Sequence, residues 1–110
     1  MPPATPGDFE QQVLLAVWRL EDGAYGVSVR DELEERVDRR VPHGAVYATL
    51  MRLEKKGLVL SRLSDPTPVR GGKSKRFFEI TAQGQEAVAS ARVAMDKLWD
   101  GLPDPLSTEG

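Results

Sequence analysis

The chain has 110 residues, 40% hydrophobic and 29% charged, which fits one compact domain and excludes a large multidomain enzyme. It has no cysteine and one histidine, His43, which excludes a disulfide scaffold, a thiolate zinc site and any mechanism that needs two imidazoles. The lack of cysteine fits a reducing cytoplasm, and we expect no cofactor, no metal, no secretory signal and no membrane span.

The net charge of −2 hides an uneven distribution along the chain. Residues 36–76 carry eleven basic and three acidic side chains, whereas the remainder carries four basic and fourteen acidic ones. Such a basic segment indicates a polyanionic partner such as nucleic acid, although a charged run can equally be a solvated face. The pI of 5.4 is far below that of a dedicated DNA-binding domain, so charge alone leaves both interpretations open.

The first part of the chain predicts a tail and two helices. Residues 1–7 are rich in proline and are predicted to form a flexible tail. A helix is predicted over 8–20, with Asp8 as its N-cap and apolar residues along one face. A second, mostly polar helix is predicted over 27–37, with Ser28 as its N-cap.

A third helix is predicted from His43 or Gly44 to Lys56. It ends at Gly57, because glycine readily adopts the conformation that follows a helix. Small side chains occupy the outward positions of its first half, and basic ones follow. Small residues let a helix approach base edges in the DNA major groove, and basic ones contact phosphates. The predicted outward residues are Ala45, Ala48, Thr49, Arg52, Lys55 and Lys56.

Two short strands are predicted over 58–63 and 76–80. The twelve residues between them, SDPTPVRGGKSK, are too many for a tight turn, and a loop of this length is usually functional or mobile. The loop contains Arg70, Lys73 and Lys75, which suits contact with a nucleic-acid backbone.

The last helix is predicted over 82–100, with Thr81 as its N-cap, and residues 102–110 are predicted to be a flexible tail. Its apolar residues are spaced alternately by three and four, which is typical of packing against another helix. They are Val88, Ala91, Met95, Leu98 and Leu102, with Trp99 beside them.

This order of elements predicts a mainly α fold with a small β-hairpin, namely a winged helix-turn-helix. The predicted DNA-binding domain covers residues 8–81, and residues 82–101 form a dimerisation helix. In this architecture the third helix enters the major groove and the hairpin loop reaches over the DNA backbone.

The runs PHGAVYATLMRLEKKGLVLSR and GGKSKRFFEITAQGQEAV resemble the PadR family of bacterial transcriptional regulators. The resemblance covers about residues 8–100, and the matching residues are Tyr25, Gly26, Gly44, Tyr47, Leu50, Leu53, Glu54, Gly57, Leu58, Val59, Gly72, Lys75, Phe78, Thr81 and Gly84. The chain departs from the family at His43, where serine or threonine is common, and at Phe77 and Phe78, where tyrosine is common. Its short closing helix excludes a large ligand domain.

The resemblance implies a homodimer in which the last helix packs against the partner's first helix, and repression at a double-stranded operator, sometimes released by a small ligand. The expected DNA contacts are His43, Gly44, Ala45, Tyr47, Ala48, Thr49, Arg52, Lys55, Arg70, Lys73, Lys75 and Arg76. The expected dimer contacts are Val13, Val17, Val88, Ala91, Met95, Leu98 and Trp99.

The role of the two tryptophans is left open. Trp18 and Trp99 can be ordinary core or dimer residues, or they can line, with Met95, a pocket for a planar hydrophobic effector between subunits.

Two other classes of function compete with DNA binding. A winged-helix module that binds proteins and not DNA is the alternative, because fold alone does not decide function. An enzyme is disfavoured, because the sequence offers no nucleophile–base pair and no set of metal ligands. We therefore expect no catalytic residues.

Overall fold

The computed structural model describes residues 6–64 and 75–107. This part of the chain is mainly α-helical with one antiparallel hairpin, as predicted. Its elements are α1 (Asp8–Leu20), a 3-10 turn (Glu21–Gly23), α2 (Gly26–Val37), α3 (His43–Lys55), β1 (Val59–Leu63), β2 (Arg76–Ile80) and α4 (Ala82–Trp99). The predicted boundaries agree to within one residue. The predicted DNA contacts Arg70 and Lys73 lie outside the described residues.

The predicted caps of the first two helices are wrong. The N-cap of α1 is Gly7, not Asp8, and the Glu10 carboxylate reaches back to accept the Gly7 N–H at 3.0 Å. Ser28 lies inside the first turn of α2, where its hydroxyl accepts the N–H of the N-cap Tyr25 at 2.9 Å. In both helices a side chain of the first turn accepts the backbone N–H of the N-cap, so the predicted cap lies inside the helix.

The turn after α3 and the start of α4 are joined by one threonine. Gly57 adopts a positive φ of 78° and ends α3 as predicted. Thr81 caps α4, since its hydroxyl accepts the Gly84 N–H at 3.0 Å and donates to the Gly57 carbonyl at 2.8 Å. The helix α4 is thereby fixed against the base of the hairpin.

The hairpin is in register from Val59 opposite Ile80 to Leu63 opposite Arg76. On the other edge of β2, the Phe78 N–H donates to the carbonyl oxygen of Ala24 at 2.8 Å. The strand β2 is therefore held between β1 and the segment that links α1 to α2.

One hydrophobic core joins the first three helices, the hairpin and the first half of α4. Its most fully buried side chains are Val13, Leu14, Val17, Val29, Val46, Leu50, Leu53, Val59 and Phe78.

Four residues expected at a dimer interface belong to this core. Val13 and Val17 are 0% and 1% exposed, and Val88 and Ala91 are also buried. The apolar spacing of α1 and of early α4 is explained by packing within one chain, so the prediction that these four face a partner is wrong.

The second half of α4 is different. Met95, Leu98 and Trp99 are 53%, 73% and 49% exposed, and Leu102 just beyond the helix is exposed too. We call these four residues the α4 stripe. The predicted seam thus divides into a half that is buried in its own chain and a half without a partner in this chain.

Among residues 6–64 and 75–107, no helix is long and apolar enough to cross a membrane. The same residues contain no group of three or more side chains able to hold a metal ion.

Candidate nucleic-acid interface

The first half of α3 presents small residues to solvent. Val46 and Leu50 anchor its inner side in the core, whereas Gly44, Ala45 and Ala48 are exposed on the outer side. A Cβ atom at Gly44 would meet nothing within 4 Å. The α3 backbone is therefore open to close approach, as readout of base edges requires. We call the exposed residues of α3, namely His43, Gly44, Ala45, Tyr47, Ala48, Arg52 and Lys55, the recognition face.

Two larger side chains flank the small residues. The His43 imidazole packs over Gly26, where a Cβ would lie 2.8 Å from the imidazole Cε1. The Tyr47 ring meets Phe78 edge-on at 6.4 Å between centroids, and 40% of the residue is exposed. Glycine at position 26 thus makes room for His43, and the hairpin supports one side of Tyr47 while the other side stays exposed.

Thr49 does not lie on the outer side as predicted. It is 2% exposed, and its hydroxyl accepts a hydrogen bond from Arg52 at 3.1 Å. Thr49 lies three residues after Val46 and four before Leu53, which places it on the buried side of the helix. It cannot contact a base in this arrangement.

Arg52 and Lys56 are paired with a carboxylate of α1. The Lys56 Nζ lies 3.0 and 2.9 Å from the two Glu10 oxygens, and the Arg52 Nε lies 3.4 Å from Glu10 Oε2. The Glu10 side chain is 11% exposed. Arg52 is therefore partly engaged within the protein, and the sequence could not show this because the partners are 42 residues apart.

Burial by itself would raise the pKa of Glu10. The hydrogen bond from the Gly7 N–H, followed by the hydrogen bond and charge of Lys56 and the hydrogen bond of Arg52, outweighs burial and lowers the pKa below its ordinary value. Glu10 is thus ionised at neutral pH and joins the start of α1 to the end of α3.

Arg39 has a similar structural role, which the sequence analysis missed. Its guanidinium donates to Asp8 at 3.2 Å and to Gln12 at 3.0 Å, and it lies 4.7 Å from the centroid of the Phe9 ring. It attaches the segment between α2 and α3 to α1.

Lys55 is the most available cation of α3. It is exposed, and in the part of the chain that the structure describes no carboxylate oxygen lies within 4.0 Å of its nitrogen. It lies on the same side of α3 as Gly44 and Ala48, so a phosphate can reach it without displacing an internal partner.

The end of the hairpin where Leu63 pairs with Arg76 positions two further predicted cations. The Arg76 guanidinium donates to the Ser61 hydroxyl at 2.9 Å, and that hydroxyl is also bonded to Glu54. The Lys75 ammonium lies 4.6 Å from the centroid of the Tyr25 ring. In the sequence, both directly follow the segment that contains Arg70 and Lys73.

The residues predicted to line an effector pocket are not brought together. Trp18 lines a cleft that is bordered by Glu21, Phe78 and Glu79, and neither Met95 nor Trp99 is among its lining residues. The pocket predicted from these three residues is not formed within one chain.

Comparison with known proteins identifies the family. A family model described as the transcriptional regulator PadR-like family matches residues 14–90. A search of curated proteins found no match.

Several solved structures have a similar fold. A PadR-like transcription factor from Bacteroides fragilis is 20% identical, with a TM-score of 0.71 and 82% of each chain covered. A PadR family transcriptional regulator from Eggerthella lenta is 23% identical, with a TM-score of 0.67 and coverage of 88% of this chain and 82% of the other. A Streptococcus transcriptional regulator is 27% identical, with a TM-score of 0.63 and coverage of 82% and 83%.

The four helices and hairpin match these winged-helix structures, and the family model spans most of the folded chain. The chain therefore belongs to the PadR-like family of transcriptional regulators, which implies regulation through DNA binding.

Proposed function

We propose that the protein is a homodimeric, sequence-specific DNA-binding regulator that represses transcription in the bacterial cytoplasm by occupying an operator. The observation that carries this proposal is the recognition face: small exposed residues on a helix whose opposite side is fixed in the core. Such a helix fits the major groove, and the hairpin beside it is placed to follow the adjacent backbone.

The structure refines which residues are proposed to contact DNA. Gly44, Ala45 and Ala48 allow close approach to base edges, and His43 and Tyr47 flank them. Lys55 contacts a phosphate. Arg52 also contacts the DNA backbone, with the part of its positive charge that Glu10 does not neutralise. Thr49 is removed from the set because it is buried. The proposed contacts of the hairpin are Arg70, Lys73, Lys75 and Arg76.

The proposed dimer uses the α4 stripe. Its large apolar side chains are contiguous along one side of the helix and exposed in a single chain, and a patch of this kind marks an interaction surface. On α1 the exposed Leu15 replaces the buried Val13 and Val17 as a proposed contact. A two-fold dimer suits a near-palindromic operator, because each subunit then reads one half-site.

Fluorescence anisotropy tests the proposal. A labelled duplex from upstream of the protein's own gene is compared with a scrambled duplex at a low and a high salt concentration. We expect tighter binding to the upstream duplex and weaker binding at high salt, because phosphate contacts release counterions. No binding to either duplex at low salt would contradict the proposal and favour a winged-helix module that binds proteins.

A small ligand is proposed to regulate this DNA binding, and the cleft beside Trp18 is the support for it.

A further inference from the structure

A solvent-open cleft lies between two parts of the fold. The end of α1 and the 3-10 turn form one side, and β2 with the start of α4 forms the other. The side chains that decide its chemistry are Trp18, Glu21, Asp22, Arg62, Phe78 and Glu79.

Three carboxylates meet at this cleft from different elements. Glu21 and Asp22 belong to the 3-10 turn, and Glu79 belongs to β2. Within the described residues, none of the three has a basic nitrogen within 4.0 Å. Carboxylates brought together without a counterion repel one another, and a concave surface concentrates their field.

One basic side chain also borders the cleft. The Arg62 guanidinium lies 5.1 Å from the centroid of the Phe77 ring and is engaged with that aromatic face. Three carboxylates against one guanidinium leave the cleft negatively charged, so it favours a cation and disfavours an anion.

The cleft also presents aromatic surface. Trp18 is 43% exposed, although it is large and apolar, and the almost fully buried Phe78 also borders the cleft. An indole face with carboxylates around it is the chemistry that binds an organic cation, because the ring attracts the positive charge and the carboxylates complement it. A neutral hydrophobic molecule would leave the carboxylates without a partner.

Phe78 links the cleft to the recognition face. Phe78 borders the cleft, and its ring meets the Tyr47 ring edge-on. A ligand that shifts Phe78 therefore shifts the support of Tyr47, and β2 carries the same displacement toward Lys75 and Arg76.

We propose that the cleft beside Trp18 binds an aromatic organic cation, which acts as the effector; the effector role rests on the proposed function, whereas the binding does not. The site lies within one subunit. It shares only Trp18 with the predicted pocket between subunits, and its ligand is charged, not neutral.

Binding is measured first, without DNA. The variant Trp99→Phe leaves Trp18 as the only tryptophan, and its fluorescence is titrated with benzyltrimethylammonium, benzyl alcohol and benzoate, at constant ionic strength. We expect a saturable change with the cation, binding of the alcohol weaker by about tenfold or more, and no binding of benzoate. Equal responses to all three compounds, or no saturable response to the cation up to about 10 mM, would overturn the proposal.

Charge-neutral variants locate the site. Glu21→Gln combined with Glu79→Gln, in the Trp99→Phe background, is expected to weaken cation binding by about tenfold. Glu35→Gln, an exposed carboxylate on α2, serves as the matched control and is expected to change nothing. Equal loss in both variants would show general attraction to an acidic protein and overturn the site.

The effector role is measured last, on the complex with operator DNA. Saturating benzyltrimethylammonium is expected to weaken DNA binding at least about fivefold in the unsubstituted protein and not in the double variant. Cation binding with unchanged DNA affinity would overturn the effector role. Failure to bind any DNA without the cation would instead contradict the proposed function.

Discussion

Gly84 lies in the first turn of α4 against the backbone before β1. A Cβ at this position would lie 2.2 Å from the Leu58 carbonyl oxygen and 2.7 Å from Ile80 Cγ1. Because a backbone atom cannot move aside as a side chain can, we expect Gly84→Ala to lower the free energy of unfolding by about 2–4 kcal/mol. Urea denaturation followed by circular dichroism measures this.

Gly44→Ala is the matched control for Gly84→Ala. Its new methyl group would meet no atom within 4 Å, so stability should rise by up to about 1 kcal/mol from helix propensity. The same methyl group lies on the recognition face and should weaken operator binding. Equal destabilisation by both substitutions would contradict the close approach of α4 to the hairpin.

Glu10 gives the fold a defined pH dependence. Burial raises the pKa of Glu10, but the Gly7, Lys56 and Arg52 interactions lower it below the ordinary 4.5. A carboxyl whose pKa is lower in the folded state stabilises the fold above its unfolded pKa, and the contribution disappears as the pH falls through the folded value. We expect Glu10→Gln to cost about 1–2 kcal/mol at neutral pH.

The cost of Glu10→Gln should shrink as the pH falls from 4.5 through the lower folded-state pKa, because the carboxyl becomes neutral first in the unfolded chain and then in the native one. Denaturation at neutral and acid pH measures the change, with Glu35→Gln as the control. A cost that is the same at every pH would show that the ion pairs with Lys56 and Arg52 contribute nothing.

Single side chains were the least predictable part of the molecule. The Thr81 cap and the turn at Gly57 follow from local sequence and are confirmed. The pairing of Arg52 with Glu10, and of Arg39 with Asp8, depends on residues far apart in the chain, which no local pattern can show.

At the scale of elements, the α4 stripe is the surface most in need of a partner. We expect Met95→Glu and Leu98→Glu each to convert the dimer to monomers, because a carboxylate would then be buried in an apolar contact. Sedimentation velocity measures the change. Ser90→Glu adds the same charge to the same helix at an exposed position outside the stripe and should leave the dimer intact; a dimer that survives all three substitutions would place the interface elsewhere.

The ranges of the helices and strands were predictable because their apolar periods and turn residues are strong. The surface against which each apolar face packs was not predictable. Apolar residues spaced by three and four occur both in a helix that packs into its own core and in a helix that packs against a second chain. The spacing therefore predicts Val88 and Ala91 at the interface, although the fold buries them.

For the whole molecule, the acidic average conceals the basic side that we propose to face DNA. Arg52 and Lys56 are partly neutralised by Glu10, so the charge available to DNA comes from Lys55 and the hairpin. If each subunit neutralises roughly 4–5 phosphates, the logarithm of the binding constant of a dimer should fall with the logarithm of salt concentration with a slope of about −8. Anisotropy across a salt series measures the slope, and a flat response would contradict backbone contacts by this side.

Two charge reversals test most directly whether the exposed side of α3 binds DNA. Lys55 lies on the recognition face, whereas Lys97 is an exposed lysine of α4. Each variant, Lys55→Glu or Lys97→Glu, changes the net charge of the subunit equally, so general electrostatics affects both alike. Anisotropy on the upstream duplex should show Lys55→Glu weakening binding by tenfold or more, about the effect of reversing one phosphate contact, with Lys97→Glu close to the unsubstituted protein. Equal weakening by the two reversals, or no effect of Lys55→Glu, would contradict recognition of DNA by α3.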